Sequence, residues 1–330
     1  MIDATWWRWA RPLAGALLLA ALALGLGTGP FLAALRATDA RALAVGAAIA
    51  LLTTVCGAWR WRLVARRLGT DLTLSGAVAS CYRAQFLNAT LPGGVLGDVG
   101  RGVQHGRADG DVGRGLRGVA WERTTGQVVL AVLAGVALLV ARPFDLPRLD
   151  GTSTVVAGAL LVAVTALVAV GWRWRGQRAT RWLHVVAADL RALRHGPASL
   201  AIVLLSVAAV AGHLAVFLLA ARTVGVRTPV VELLPLALVV LVVSAVPLNL
   251  AGWGPREGAA AWVFAAAGLG AATGLATAVA FGAIAFVGTL PGAALLLAGR
   301  VRRQGPRASA PAPVVVGAPR LDTVGGGARD

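Results

Sequence analysis

The sequence predicts an all-α, polytopic membrane helix bundle of about six full spans plus two re-entrant broken-helix hairpins. Three observations carry that prediction. The 330 residues are 58% hydrophobic and 14% charged, with a mean hydropathy of +0.76, and several apolar runs exceed the roughly 18 residues that mark a spanning helix. The net charge of +17 comes from Arg without a single Lys, and the arginines gather between the apolar runs. Two apolar stretches are interrupted by Pro, Gly and Asn with charged residues beside the break. A broken helix frees backbone N–H and C=O groups, which at membrane depth must be buried in protein or line a watery cavity.

Taken in order, residues 1–12 carry Trp6, Trp7, Arg8, Trp9 and Arg11, and an apolar run follows to about residue 35. Ala21-Leu22-Ala23 resembles a cleavage site, but the run is too long for a signal peptide and other spans follow, so an uncleaved anchor is expected. Further spans are expected at about 42–58, 118–141, 152–171, 198–221 and 271–298. The first broken stretch is 82–101 (YRAQFLNATLPGGVLGDVGR) and the second is 229–268, with VPLNLAGWGPRE at its centre. The membrane domain is expected to cover 1–300. Residues 301–330, rich in Pro, Gly and Ala, read as a disordered tail.

Arg placement gives the orientation. The N-terminus, 60–75, 101–117, 172–197 and 300–307 are Arg-rich, whereas acids balance Arg in 142–151 and 222–232. The positive-inside rule then puts both termini in the cytoplasm of a multi-pass inner (plasma) membrane protein. Trp-Arg-Trp at 7–9, 59–61 and 172–174 falls each time at an expected cytoplasmic helix end and reads as an interfacial anchor. Six full spans fit this parity if the first broken segment enters and leaves from the cytoplasm and the second from outside. Two true spans in 229–268 would preserve the parity equally. Opposed hairpins are preferred because they make an inverted repeat, the arrangement that places transporter sites at the midplane.

Charge inside a membrane is expensive and marks function. Three clusters qualify: Asp98 with Arg101, Glu122 with Arg123, and Arg256 with Glu257. Asp98 and Arg101, three apart, can pair on one helix face. Adjacent residues point about 100° apart, so the other two pairs are expected to seek partners elsewhere. The six charges balance. Gly93, Gly94, Gly97, Gly252 and Gly254 sit near half-helix starts, where exposed N–H groups attract anions, or where glycine simply permits close crossing. Asn88 and Asn249 are placed to bond carbonyls freed at the breaks, while Gln85, Tyr82 and Trp253 are candidate cavity residues.

Other chemistries find little support. Cys56 and Cys81 form no CxxC motif, and the four histidines lack metal-ligand spacing. GGVLGDVG has no strand–turn–helix context for dinucleotide binding. Asp109-Gly110-Asp111 reads as a solvated turn rather than a metal pair, and His213 as packed or bonded to a neighbouring helix. No soluble basic face is long enough for nucleic acid. No cofactor or metal is expected.

FLNATLPGGVLGDVGR at 86–101, WERTTG at 121–126 and NLAGWGPREG at 249–258 resemble the lysylphosphatidylglycerol synthase transmembrane-region (flippase-like) family over nearly the whole chain. The sequence departs from the family pattern with Leu96 and Ala251 where Gly is common, and with Pro255 before the Arg. The resemblance implies a flippase fold, with Asp98, Arg101, Glu122, Arg123, Arg256 and Glu257 as the charged motif residues. It does not imply lysyl transfer, because the synthase's soluble catalytic domain is missing. The reading is a lipid translocator whose substrate-binding residues are Arg101, Arg123, Arg256, Asp98, Glu122, Glu257, Asn88, Gly93, Gly94 and Trp253. Its expected ligand is an anionic phospholipid or polyprenyl-phosphate lipid. The alternatives are a membrane enzyme acting on a lipid phosphate, with Glu122 as general base, and a non-transporting partner of a separate synthase or glycosyltransferase.

Overall fold

The computed structural model describes residues 28–91, 94–141, 176–194, 196–245 and 254–304. They form ten helices: α1 (Gly29–Ala37), α2 (Ala40–Arg67), α3 (Leu74–Thr90), α4 (Leu96–Ala108), α5 (Val112–Ala141), α6 (Gly176–Arg194), α7 (Pro197–Thr223), α8 (Val230–Ser244), α9 (Pro255–Ala266) and α10 (Ala271–Gln304). There is no strand among the described residues. Local chemistry sets several ends. The Asp39 carboxylate accepts the Ala42 N–H at 2.8 Å to start α2, and the Thr73 hydroxyl accepts the Gly76 N–H at 3.3 Å to start α3. Pro occupies the first turn of α1, α7 and α9, where its missing N–H costs nothing.

Four helices are long and apolar enough to cross a membrane: α2, α5, α7 and α10. They correspond to four of the six expected spans. The span expected at 152–171 lies outside the described residues, as does the first, expected from residue 12 to about 35, up to residue 27, its last part falling in α1; the tail beyond 304 and two of the three Trp-Arg-Trp sites lie outside as well. The boundary expected at 300 falls inside α10, which continues to Gln304.

The expected span at 42–58 needs correction. α2 runs on to Arg67, which puts the Trp-Arg-Trp at 59–61 inside the helix. Trp59 is exposed, but Arg60 and Trp61 are buried in the bundle, Trp61 at 1% exposure. They are core residues and not an interfacial anchor. The helix can continue because Val64 and Ala65 keep its buried face apolar beyond the first arginine.

Both broken stretches are helix–break–helix units. In the first, α3 and α4 flank the break at 91–95; in the second, α8 and α9 flank 245–254, of which 246–253 lie outside the described residues. α3 has 17 residues, α4 13, α8 15 and α9 12, all short of the roughly 20 that cross a bilayer. In the first unit the chain folds back on itself. A Cβ on Gly97 would lie 2.2 Å from the Ala84 carbonyl oxygen, so α4 touches α3 backbone to backbone.

The two hairpins are mounted on α10 at separate points. Near its start, a Cβ on Gly274 would stand 2.1 Å from the Ala260 carbonyl oxygen of α9. About two-thirds of the way along it, a Cβ on Gly292 would stand 2.2 Å from the Tyr82 carbonyl oxygen of α3. These glycines are eighteen positions apart, about 27 Å at 1.5 Å per residue, close to the thickness of a hydrocarbon core. Between them Phe281 joins the Phe217 ring at 5.7 Å, and Phe217 in turn meets Phe264 of α9 at 6.4 Å. The main hydrophobic core is built around these rings with α8 and α7.

Candidate functional site

The helix ends that flank both breaks line one cavity of about 660 Å³. Its walls come from the middle of each spanning helix: Thr54 and Arg60 of α2, Glu122 and Gln127 of α5, His213 of α7, and Phe281 and Thr289 of α10. The hairpin tips add Gln85, Asn88, Gly94, Asp98 and Arg101 on one side, and Ser244 and Arg256 on the other.

The charged residues form an alternating chain. Ser206 accepts from Arg60 Nη1 at 3.1 Å and donates its own hydroxyl proton to the Ile202 carbonyl at 2.7 Å. Arg60 donates through Nε to Glu122 Oε1 at 3.1 Å and also pairs with it through Nη2. The second Glu122 oxygen accepts Arg101 Nη2 at 2.7 Å. Arg101 Nε reaches Asp98 Oδ1 at 2.9 Å, and the other Asp98 oxygen pairs with Arg123. The Arg101 guanidinium also lies 4.5 Å from the centre of the Trp61 ring, a cation–π contact that replaces part of its lost hydration. Of these three arginines only Arg123 is open, with 49% of its side chain exposed. Such a network survives burial because every charge has an opposite partner with hydrogen-bond geometry.

Asp98 and Glu257 occupy the same place in their half-helices. Each is the third residue of its helix, α4 or α9, where a carboxylate meets free N–H groups and the positive end of the helix dipole. Glu257 is completely buried. Its Oε2 accepts the Gly254 N–H at 2.7 Å, while Oε1 accepts Arg256 Nε at 2.9 Å. Gly254 has φ +132°, which a side chain would strain, and Gly94 at the other tip has φ +61°. The Arg256 guanidinium lies 5.3 Å from the centre of the Phe281 ring.

Several expectations change here. The Arg256–Glu257 pair does satisfy itself, against the 100° argument, because Glu257 curls back to cap its helix and the long Arg side chain follows it. Glu122 and Arg123 do diverge: one meets Arg60 and Arg101, the other Asp98. The six charges do not balance in isolation, since Arg60 enters from α2. Asn88 bonds a freed donor and not a carbonyl: its Oδ1 accepts the Gly97 N–H at 2.8 Å, and its Nδ2 donates to Asp98 at 2.8 Å. The N–H groups of Gly97 and Gly254 are thus taken by side chains of their own hairpins and are not offered to an anion. His213 Nδ1 bonds the Ala209 carbonyl of its own helix at 2.7 Å, rather than a neighbouring helix. Gly93 and Trp253 lie outside the described residues, with Asn249 and Gly252.

Away from the cavity, Asp189 ties α6 to α5 by accepting Arg117 at 3.1 Å and the Trp121 indole at 3.0 Å. Asp111 caps α5 through the Arg114 N–H at 2.8 Å, a bond that holds its carboxyl below the usual carboxylate range. The acidic pair at 109 and 111 therefore belongs to a turn around Gly110, at φ +79°. No group of three or more His, Cys, Asp or Glu suited to a metal occurs among the described residues.

Asn88 offers a direct test of the tip. Asn88→Ala leaves the Gly97 N–H without its acceptor and removes one donor from Asp98. A loss of about 1–3 kcal/mol is expected, seen as a lower thermal midpoint of the detergent-solubilised protein. Asn88→Ser, which keeps a shorter oxygen, is expected to fall between Asn88→Ala and the unaltered protein.

Fold and site together define a polytopic helical membrane protein in which two half-span hairpins converge on a charged cavity at mid-span. More narrowly, the chain belongs to the family described as the lysylphosphatidylglycerol synthase TM region, whose sequence model matches residues 8–292. No curated protein and no solved structure matches it.

Proposed function

We propose that this chain is a lipid translocator, which holds a phosphate-bearing lipid headgroup in the mid-span cavity while the acyl chains stay in the bilayer. The observation that carries the proposal is the convergence of Arg123 and Arg256, from α5 and from the second hairpin, on one cavity beside the first hairpin's tip. At about 660 Å³ the cavity falls in the ~300–1,000 Å³ range of small-ligand sites, room for a headgroup rather than a whole lipid. Membership of a family named for a phospholipid synthase's membrane region supports a lipid substrate. In this reading Arg123 and Arg256 contact the phosphate. Arg101, held by Asp98, Glu122 and Trp61, positions the field around it. The ligand is an anionic phospholipid or a polyprenyl-phosphate lipid, and a separate synthase or glycosyltransferase supplies it. The protein sits in the plasma membrane with both termini in the cytoplasm.

Reconstitution into liposomes with labelled phospholipids tests this. Removing one charge-assisted contact costs about 1.5–3 kcal/mol, so Arg123→Ala, which opens a half-exposed pair and leaves Asp98 its bond to Arg101, is expected to slow protein-dependent transbilayer movement about 10- to 100-fold while leaving the folded protein intact in detergent. Chemical conversion of the lipid without movement would make the chain an enzyme. Silence in both, with a co-purifying synthase, would make it a partner subunit.

A further inference from the structure

The ion pairs described above form a line that begins and ends on arginine: Arg60, Glu122, Arg101, Asp98, Arg123. Across the cavity Arg256 and Glu257 add one charge of each sign. Among the described residues, four guanidiniums therefore face three carboxylates. Each guanidinium counts as one positive charge, and each carboxylate in an ion pair with one counts as one negative charge. His213, also on the cavity wall, contributes no negative charge in either protonation state. The adjoining stretches 92–93 and 246–253 contain no ionisable side chain. Among the described residues the cavity thus carries an excess of one positive charge.

Arg60 is the buried member whose removal would cancel that excess, since Glu122 would keep Arg101 on its other oxygen. It is seated with care. It is anchored by Ser206, and its guanidinium rests on Gly126, where a Cβ would come within 3.0 Å of Nη1. A buried cluster with a net charge is costly in a membrane, and a ligand that cancels the excess recovers that cost.

We infer that the cavity selects lipids whose headgroup carries one net negative charge, a phosphodiester esterified to an uncharged alcohol, over zwitterionic and cationic headgroups. The inference rests on the translocator reading and names its substrate class. A zwitterionic headgroup brings its own ammonium to the phosphate and leaves the excess in place. A cationic one adds to it.

The test uses the full-length protein in phosphatidylcholine vesicles with trace labelled phosphatidylglycerol, phosphatidylethanolamine or lysylated phosphatidylglycerol. Phosphatidylglycerol is expected to move about tenfold faster than phosphatidylethanolamine, the scale of one unit charge across a partly hydrated cavity, and the lysylated lipid slowest. Arg60→Gln is expected to erase the preference. Gln127→Glu reaches the same neutrality by adding a carboxylate to the cavity wall without removing any member of the chain of pairs, so it stands if Arg60→Gln fails to fold. Equal rates for the three lipids, or a preference that persists in Gln127→Glu, would overturn the inference and leave the translocator intact. No movement of any lipid would strike the translocator reading itself. Competition by inorganic phosphate at the lipid's own concentration would assign the charge to a soluble anion and overturn lipid selection.

Discussion

Replacing Glu122 by alanine is expected to lower stability by about 3–5 kcal/mol, the cost of breaking a buried ion pair from one side. Glu122 is the hub on which Arg60 and Arg101 both depend, one guanidinium on each oxygen. Its loss leaves two positive charges facing one another with Asp98 as the sole nearby carboxylate among the described residues. Glu122→Gln keeps the shape but not the charge, and is expected to be almost as damaging. The check is the thermal midpoint in detergent, read together with the double variant Glu122→Ala with Arg60→Leu. If Arg60 is buried only because Glu122 receives it, the double variant recovers about 1–3 kcal/mol relative to the sum of the singles. Strict additivity would show that the two side chains do not share a pair.

Gly292→Val on α10 is expected to displace the first hairpin, and Gly274→Val the second. In each case the new Cβ would stand about 2 Å from a carbonyl oxygen, of Tyr82 or of Ala260. No rotamer relieves a clash with backbone, so the helices must separate. Overpacking costs typically about 1–3 kcal/mol and more where neither side can move. The two variants also differ in what they loosen. Gly292→Val should expose a cysteine placed at Ala89, on the cavity wall, to a water-soluble maleimide and leave one at Ser244 slow, whereas Gly274→Val should do the reverse. If both variants open both tips equally, α10 does not carry the hairpins independently. Gly135, with no neighbouring atom at its Cβ position, is the matched control.

How much of the site is readable along the chain follows from the same residues. The breaks are readable because Pro, Gly and Asn clustered inside an apolar run stop a helix whatever surrounds it. The six motif charges stand out because ionisable groups are rare in such surroundings. Their pairing does not. Arg60 meets Glu122 across 62 positions and Ser206 across 146, separations at which no local pattern operates. Arg60 is hidden further by its setting. In a Trp-Arg-Trp followed by more arginine it looks like an interfacial residue, and only the burial of Trp61 and Val64 on the same helix separates the two cases. The pairing of Arg256 with Glu257 escapes an argument from helix geometry for the opposite reason, since long side chains can override the angle at which their Cα–Cβ bonds leave the helix.

That the chain is a helical membrane protein, where two of its helices break, and which charges lie beside the breaks can all be read along the chain. Hydrophobic length, backbone-breaking residues and the cost of charge in lipid are all local properties of the chain. That both breaks border one cavity, that Arg60 joins it, and that four guanidiniums meet three carboxylates there among the described residues emerges only from the packing. Those facts depend on α10 carrying both hairpins at a separation near the thickness of a bilayer. That separation is set by two backbone contacts between segments far apart in the chain.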